Sequence, residues 1–122
     1  MKKPKFTVVK RPDGSSEFYD FLGKLPAKDE AKLLATIEKV EEKGLLVATR
    51  QEWVKKLGDN LFELRAKVGS NIQRGVYFHW ENENYVITHG FTKKTDKTPK
   101  KEINHGRKVR DRFLNERRNN YE

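Results

Sequence analysis

The chain has 122 residues, a formal net charge of +9, 37% charged and 34% hydrophobic residues, and no cysteine. That length fits one domain, the lack of cysteine excludes disulfides and thiol catalysis, and the positive balance points to a polyanionic partner: nucleic acid, ribosome, acidic protein or membrane surface. No stretch approaches the roughly 20 apolar residues of a membrane span, and the basic start MKKPKFTVVKRPDG lacks an apolar run of signal-peptide length, so a cytoplasmic location is expected.

The segment Lys5 to Lys10, KFTVVK, is short and β-branched and ends in the turn RPDG, which predicts a strand. Asp13 or Ser15 is placed to cap a helix through SSEFYDFLGKL, with Phe18, Phe21 and Leu22 on one face. Pro26 breaks the chain. AKDEAKLLATIEKVEEKG then predicts a second helix, with Leu33, Leu34, Ile37 and Val40 at helical spacing and Gly44 as its stop. The two helices are expected to form a hairpin on one face of a sheet. LLVATRQEWVKK shows no clean period and is read as a connection with a possible short turn of helix.

After the turn GDN, LFELRAKV alternates: Phe62, Leu64, Ala66 and Val68 on a buried face, Glu63, Arg65 and Lys67 on a polar one. IQRGVYFHW is the next strand, with Arg74, Val76 and Phe78 on one side and Tyr77 and His79 on the other. ENEN turns the chain into YVITHGF, expected to carry Tyr85, Ile87, His89 and Phe91 together on one side. A last helix follows, with Thr98 as N-cap, Pro99 at its first position and a partial apolar face of Ile103, Val109, Phe113 and Leu114. The RRNNYE end is read as frayed. The order β-α-α-β-β-β-α is an α+β domain with three consecutive antiparallel strands at its centre.

The chemistry concentrates near the end of the third central strand. Lys93, Lys94, Lys97, Lys100 and Lys101 place five lysines in nine residues. Arg65 and Arg74 lie on neighbouring strands joined by a tight hairpin, so both guanidinium groups can meet the lysine loop on one sheet surface. Such cations repel unless an anion lies among them, and an RNA phosphate fits. Arginine grips two phosphate oxygens at once, lysine acts as a point charge, and the start of the last helix adds free N–H groups. The same array favours attack of an RNA 2′-OH on the adjacent phosphorus, whose transition state gathers negative charge. His79, His89 and His105 are the groups that titrate near neutrality, and a lysine crowded by like charge is the other candidate. Plainer readings stand beside these. Arg65 decorates a wet sheet face, Arg74 is a structural donor, His89 a satisfied strand residue, and the lysine run a solvated loop. Phe91 is either core or a ring on which an RNA base stacks, and Tyr77 is read as half-buried. Zinc spacing, HExxH, a phosphate loop, GxSxG and a helix-turn-helix pattern are all lacking.

LFELRAKV, IQRGVYF and ITHGFTKKTDKTPKKEI, taken in order, resemble the RelE/HigB superfamily of toxins from type II toxin–antitoxin systems, and within it the phage-derived HigB-like branch. The resemblance runs from about Gly58 to Arg112. It implies a small antiparallel sheet with an N-terminal helical hairpin and a C-terminal helix. It also implies mRNA cleavage on the ribosome with no metal or other cofactor. The implied partners are the ribosome, mRNA and a cognate antitoxin of the Xre helix-turn-helix, HigA-like type. Operator DNA would be bound only through the antitoxin complex, and no membrane is involved. Carried residue by residue, Arg65 and Arg74 match the family's sheet arginines, and Lys93, Lys94 and Lys97 its basic segment after the strand. Together with the reading of the residues themselves, this makes Arg65, Arg74, Lys94, Lys97 and His89 the expected catalytic set. Lys93, Lys100, Lys101, Phe91 and Tyr77 are the expected RNA contacts. Gly75 departs from the larger apolar residue usual there and is expected to loosen local packing. Two alternatives remain: a ParE-like gyrase inhibitor on the same fold, and a non-catalytic basic phage module that binds nucleic acid or ribosome.

Overall fold

The computed structural model describes residues 3–120. Strand β1 (Lys5–Val8) leads into helices α1 (Glu17–Lys24), α2 (Ala27–Lys43) and α3 (Leu45–Arg50). Strands β2 (Val54–Gly58), β3 (Leu61–Val68), β4 (Asn71–Glu81) and β5 (Asn84–Lys93) follow, and helix α4 (Lys100–Asn120) ends the described chain. Tyr121 and Glu122 of the expected frayed end lie outside the described residues, and helix continues through Arg117 and Arg118. None of the described helices is long and apolar enough to cross a membrane.

The strands form one α+β sheet in the order β1-β5-β4-β3-β2. Three hairpins make β2 to β5 antiparallel, as the central alternation predicts. The sheet is nevertheless mixed, because β1 pairs parallel with β5, Lys5 beside Asn84 and Val8 beside Ile87. The chain leaves β1, crosses one face as helices, enters the sheet at the far edge and returns strand by strand to run alongside β1. β2 is the strand that periodicity concealed. It is a five-residue edge whose pairing slips between Lys56 and Gly58, and its lysines suit a solvent edge better than an alternating pattern.

One face of the sheet carries the main core. Phe18 and Leu22 of α1 and Leu33 and Val40 of α2 pack with Leu64, Ala66, Tyr77 and Ile87. Ser16, rather than Asp13 or Ser15, caps α1, its hydroxyl accepting from the Phe18 and Tyr19 N–H groups at 3.1 and 3.3 Å. Asp13 instead accepts from the Ser15 N–H and hydroxyl in the preceding turn. Leu34 is exposed, and Thr36 takes its expected place on the buried face, tying its hydroxyl to the Lys32 carbonyl. Gly75 and Gly90 stand opposite each other on β4 and β5. A Cβ on Gly75 would meet the Phe18 ring at 3.1 Å, and one on Gly90 would meet Phe21 at 2.3 Å. Gly75 therefore does not loosen the packing; the glycine pair is the floor on which the two α1 rings rest.

Helix α4 covers the other face. Ile103 packs on a cluster of Leu61, Val76 and Phe91, and Phe113 on Phe78 and Val86. A β-bulge redirects β5: Tyr77 pairs with Ile87 while Val76 pairs with His89, which leaves Thr88 as the extra residue. Tyr85 and Ile87 therefore belong to the core under α1 and α2, whereas His89 and Phe91 face α4. The expected single-sided run of these four residues fails because one inserted residue resets the alternation.

Candidate nucleic-acid interface

On the α4 side, Glu63 and Arg65 of β3 and the neighbouring arginine of β4 are folded into a buried ionic network, in which Glu63 Oε2, Arg65 Nε and Arg74 Nε face charge but lack an aligned hydrogen bond. Arg65 and Arg74 are cross-strand partners, and Glu63 lies two residues before Arg65 on the same face. Glu63 and Arg74 are both fully buried. The Glu63 carboxylate accepts from the Thr98 hydroxyl at 2.7 Å and faces Arg65 Nε at 3.1 Å and Arg74 Nη1 at 3.8 Å. Thr98 in turn accepts from Arg74 Nη1 at 3.1 Å, and Arg74 Nη2 donates to the Thr95 carbonyl. The guanidinium also lies over the Phe91 ring, 5.6 Å from its centroid. Arg65 donates from Nη2 to both the backbone carbonyl and the carboxylate of Asp96, at 3.0 and 2.8 Å.

The sequence leads one to expect an anion among these cations, and the chain supplies it: Glu63 from β3 and Asp96 from the loop. Burial pulls the Arg74 guanidinium below its ordinary value, and the Glu63 charge opposes that shift. The hydrogen bond and charge of Arg65 hold the Asp96 carboxyl below the usual carboxylate range, with Lys55 adding to it from 3.8 Å. The network joins the loop after β5 to the sheet at Thr95, Asp96 and Thr98. Thr98 thus spends its hydroxyl on Arg74 and Glu63 instead of serving as a helix cap.

This arrangement redistributes the expected roles. Arg74 has no surface to offer a phosphate, so it is a positioning residue for the loop rather than a direct contact. Arg65 is largely covered but reaches the surface at Asp96. Lys93, Lys94, Lys97, Lys100 and Lys101 are all exposed, on the end of β5, the clamped loop and the first turn of α4. Phe91 is 7% and Tyr77 1% exposed. Tyr77 is enclosed by Phe6, Phe62 and Tyr85 in the main core, where burial drives its hydroxyl pKa far up. Neither ring presents a face to a base, so the expected stacking contacts are corrected to core packing.

The histidines separate as well. His79 lies across the sheet, its Nε2 2.6 Å from the Asn82 carbonyl. His89 is 4% exposed. Its Nδ1 is 2.8 Å from the Thr88 hydroxyl and its Nε2 3.2 Å from Glu102. The Thr88 hydroxyl has a single proton, for which the Val76 carbonyl at 3.2 Å and His89 Nδ1 at 2.8 Å compete; given to Nδ1, it leaves the ring proton on Nε2, facing Glu102. Burial lowers its pKa, the nearby His105 adds to the shift, and Glu102 opposes it. A buried, neutral His89 has no direct access to substrate. His105 packs edge-on against it, ring centroids 4.6 Å apart, and places Nε2 2.8 Å from Glu17 at the start of α1. The His105 side chain is 41% exposed. The pairing of Glu17 with His105 spans 88 residues of chain; no local pattern announces it, because the contact depends on how α1 meets α4.

No curated protein matches the sequence closely enough to add a named relative. A family model, "Phage derived protein Gp49-like (DUF891)", matches residues 20–111, from α1 through the basic loop into α4. The segments with the clamped arginines, the glycine pair and the lysine loop all fall inside that match, and the chain belongs to this Gp49-like family of the RelE/HigB-like toxin superfamily.

Proposed function

We propose that the chain is the toxin of a type II toxin–antitoxin pair of the HigB-like branch, acting in the cytoplasm as a ribosome-dependent mRNA endonuclease. The observation that carries the reading is the lysine loop held down by two sheet arginines, Arg65 through Asp96 and Arg74 through Thr95 and Thr98. A loop fixed in this way presents Lys94 and Lys97 as preorganised cations, which stabilise charge developing in a transition state better than mobile ones. In the reaction the RNA 2′-oxygen bonds to phosphorus and the P–O5′ bond breaks. The 2′-proton passes to a base and the 5′-oxygen takes a proton from an acid, leaving a 2′,3′-cyclic phosphate and a 5′-hydroxyl. Lys94 and Lys97 neutralise the phosphoryl oxygens. His105, accessible and paired with Glu17, is the imidazole we assign to proton transfer, with His89 behind it as a positioning residue. The partners are the ribosome, mRNA and an antitoxin of Xre helix-turn-helix type.

The test is induced expression followed by mapping of message 5′ ends. Growth arrest with codon-registered cuts in translated messages supports the reading. Arrest with intact messages and double-strand DNA breaks overturns it in favour of a gyrase inhibitor. Arrest with neither lesion leaves a binding module.

A further inference from the structure

Apart from the lysine loop, a second basic concavity lies between α2 and the rim of β3. It is a cleft of about 380 Å³ lined by Lys32 and Lys39 of α2, by Glu52 and Trp53, and by Arg65, Lys67 and Asp96, so its four cations outnumber its two carboxylates. Lys39 stands over the Trp53 ring, 5.3 Å from its centroid, so a cation and an aromatic face share one wall. Lys32, Lys39 and Lys67 are exposed, and Trp53 is half-buried against the core. The volume falls within the range of small-ligand sites. Asp96 is the informative member. Its carboxylate is exposed, yet it sits 2.8 Å from Arg65 Nη2 and 3.8 Å from Lys55 Nζ. The cations at this end thus hold an anion that the chain itself provides, from a loop rather than from the sheet.

We propose that this cleft binds one nucleotide unit of single-stranded RNA. The base lies against Trp53, the backbone phosphate engages Arg65, Lys67 and the α2 lysines, and Asp96 is the internal carboxylate that the phosphate displaces. The chemistry follows from the residues present. An indole face takes any base by stacking, guanidinium and ammonium groups take phosphate oxygens, and neither feature reads sequence. The proposal rests on reading the chain as a protein that acts on RNA. It adds a binding site that holds the strand outside the lysine loop, and it needs no cleavage to be observed.

The test uses the full chain with Trp80→Phe, which leaves Trp53 as the sole tryptophan. It is titrated with a short 2′-O-methyl oligoribonucleotide, which lacks the nucleophile for cleavage. Tryptophan fluorescence and anisotropy of a labelled strand are read together. The expected result is saturable quenching of Trp53 that tracks the anisotropy. Lys32→Glu with Lys39→Glu should weaken binding about tenfold or more, consistent with loss of two phosphate contacts at low salt. Asp96→Asn should tighten it, because the competing carboxylate is gone. A purely structural role for these side chains does not predict opposite signs. Anisotropy that reports binding without any change at Trp53 overturns the site, as does an absence of binding. Equal quenching by an acidic polyglutamate peptide overturns it in favour of a protein partner. Quenching that persists in a protein unable to cut message on ribosomes upholds the cleft and removes the nuclease reading, so the two failures are distinguishable.

Discussion

At the scale of single residues, the decisive contrast is between buried and exposed cations in one short stretch. Arg74 and Lys94 look alike in the sequence, both basic, one near the start of β4 and the other just past the end of β5. One is sealed against Glu63, Thr98 and Phe91, and the other faces water. Arg74→Ala should therefore act on stability. It removes a cation from a buried carboxylate, a change that costs about 3–5 kcal/mol. The low end is expected, because Arg65 still faces Glu63 at 3.1 Å. Glu63→Gln should recover part of the loss in a double-mutant cycle by denaturant unfolding. Lys94→Ala and Lys97→Ala should leave stability within about 0.5 kcal/mol and abolish toxicity on induction. Retained toxicity in the double lysine variant would remove the loop from the mechanism. His89 provides a pH signature. Its folded pKa lies below the ordinary 6.5, so the unfolded chain binds the extra proton more readily. Its contribution is complete above about pH 6.5 and is lost as pH falls from there towards the folded pKa. In thermal unfolding, the gap between the wild type and His89→Gln should stay constant above about pH 6.5 and change only on the acid side, where the wild type loses stability. The sequence makes plain which residues carry charge, but not which charges find a partner. Glu63 sits in an alternating strand like any solvent-facing residue, and it is enclosed by Arg65, by Arg74 of the next strand and by Thr98, which returns to it after two hairpins and a loop.

At the scale of elements, helices and central strands were legible because their periodicities are long and regular. What escaped was whatever breaks a period. The bulge at Thr88 turned His89 and Phe91 towards α4, and the short β2 edge offered no alternation to read. The parallel pairing of β1 depends on the whole path of the chain rather than on KFTV itself. The glycine pair is a further case: small residues in two strands read as weak points until the rings of α1 are placed above them. Gly90→Ala should destabilise by about 1–3 kcal/mol, the cost of overpacking, because a Cβ there meets three Phe21 ring atoms at 2.3–2.9 Å. Phe21→Leu should relieve part of that cost in the same background. Additive effects of the two changes in thermal or denaturant unfolding would contradict the proposed seat.

At the scale of the whole molecule, the two sheet arginines, Arg65 and Arg74, are neutralised internally, and the excess charge of +9 is carried to solvent by the lysines and by exposed arginines such as Arg50, Arg107 and Arg112. Binding to RNA or ribosome should therefore be strongly salt-dependent. Three to five phosphate contacts correspond to a slope of about −2 to −4 in log K against log salt, at roughly 0.7 per contact on a single strand. A flat response would contradict phosphate binding by the loop and cleft. The same distribution explains why the composition pointed to a polyanion while the individual contacts could not be read. Net charge survives folding, but the assignment of each charge to core or surface does not exist until the strands register. The central claim is that the clamped lysine loop cuts message on the ribosome by 2′-OH attack. Its most direct test is a reconstituted translation complex carrying an end-labelled message, incubated with the purified chain after removal of free divalent ions beyond those the ribosome holds. The account predicts cuts in register with the codon in the A site, fragments ending in 2′,3′-cyclic phosphate, and no cutting by the Lys94→Ala/Lys97→Ala variant; an uncut message, or equal cutting by that variant, would contradict it.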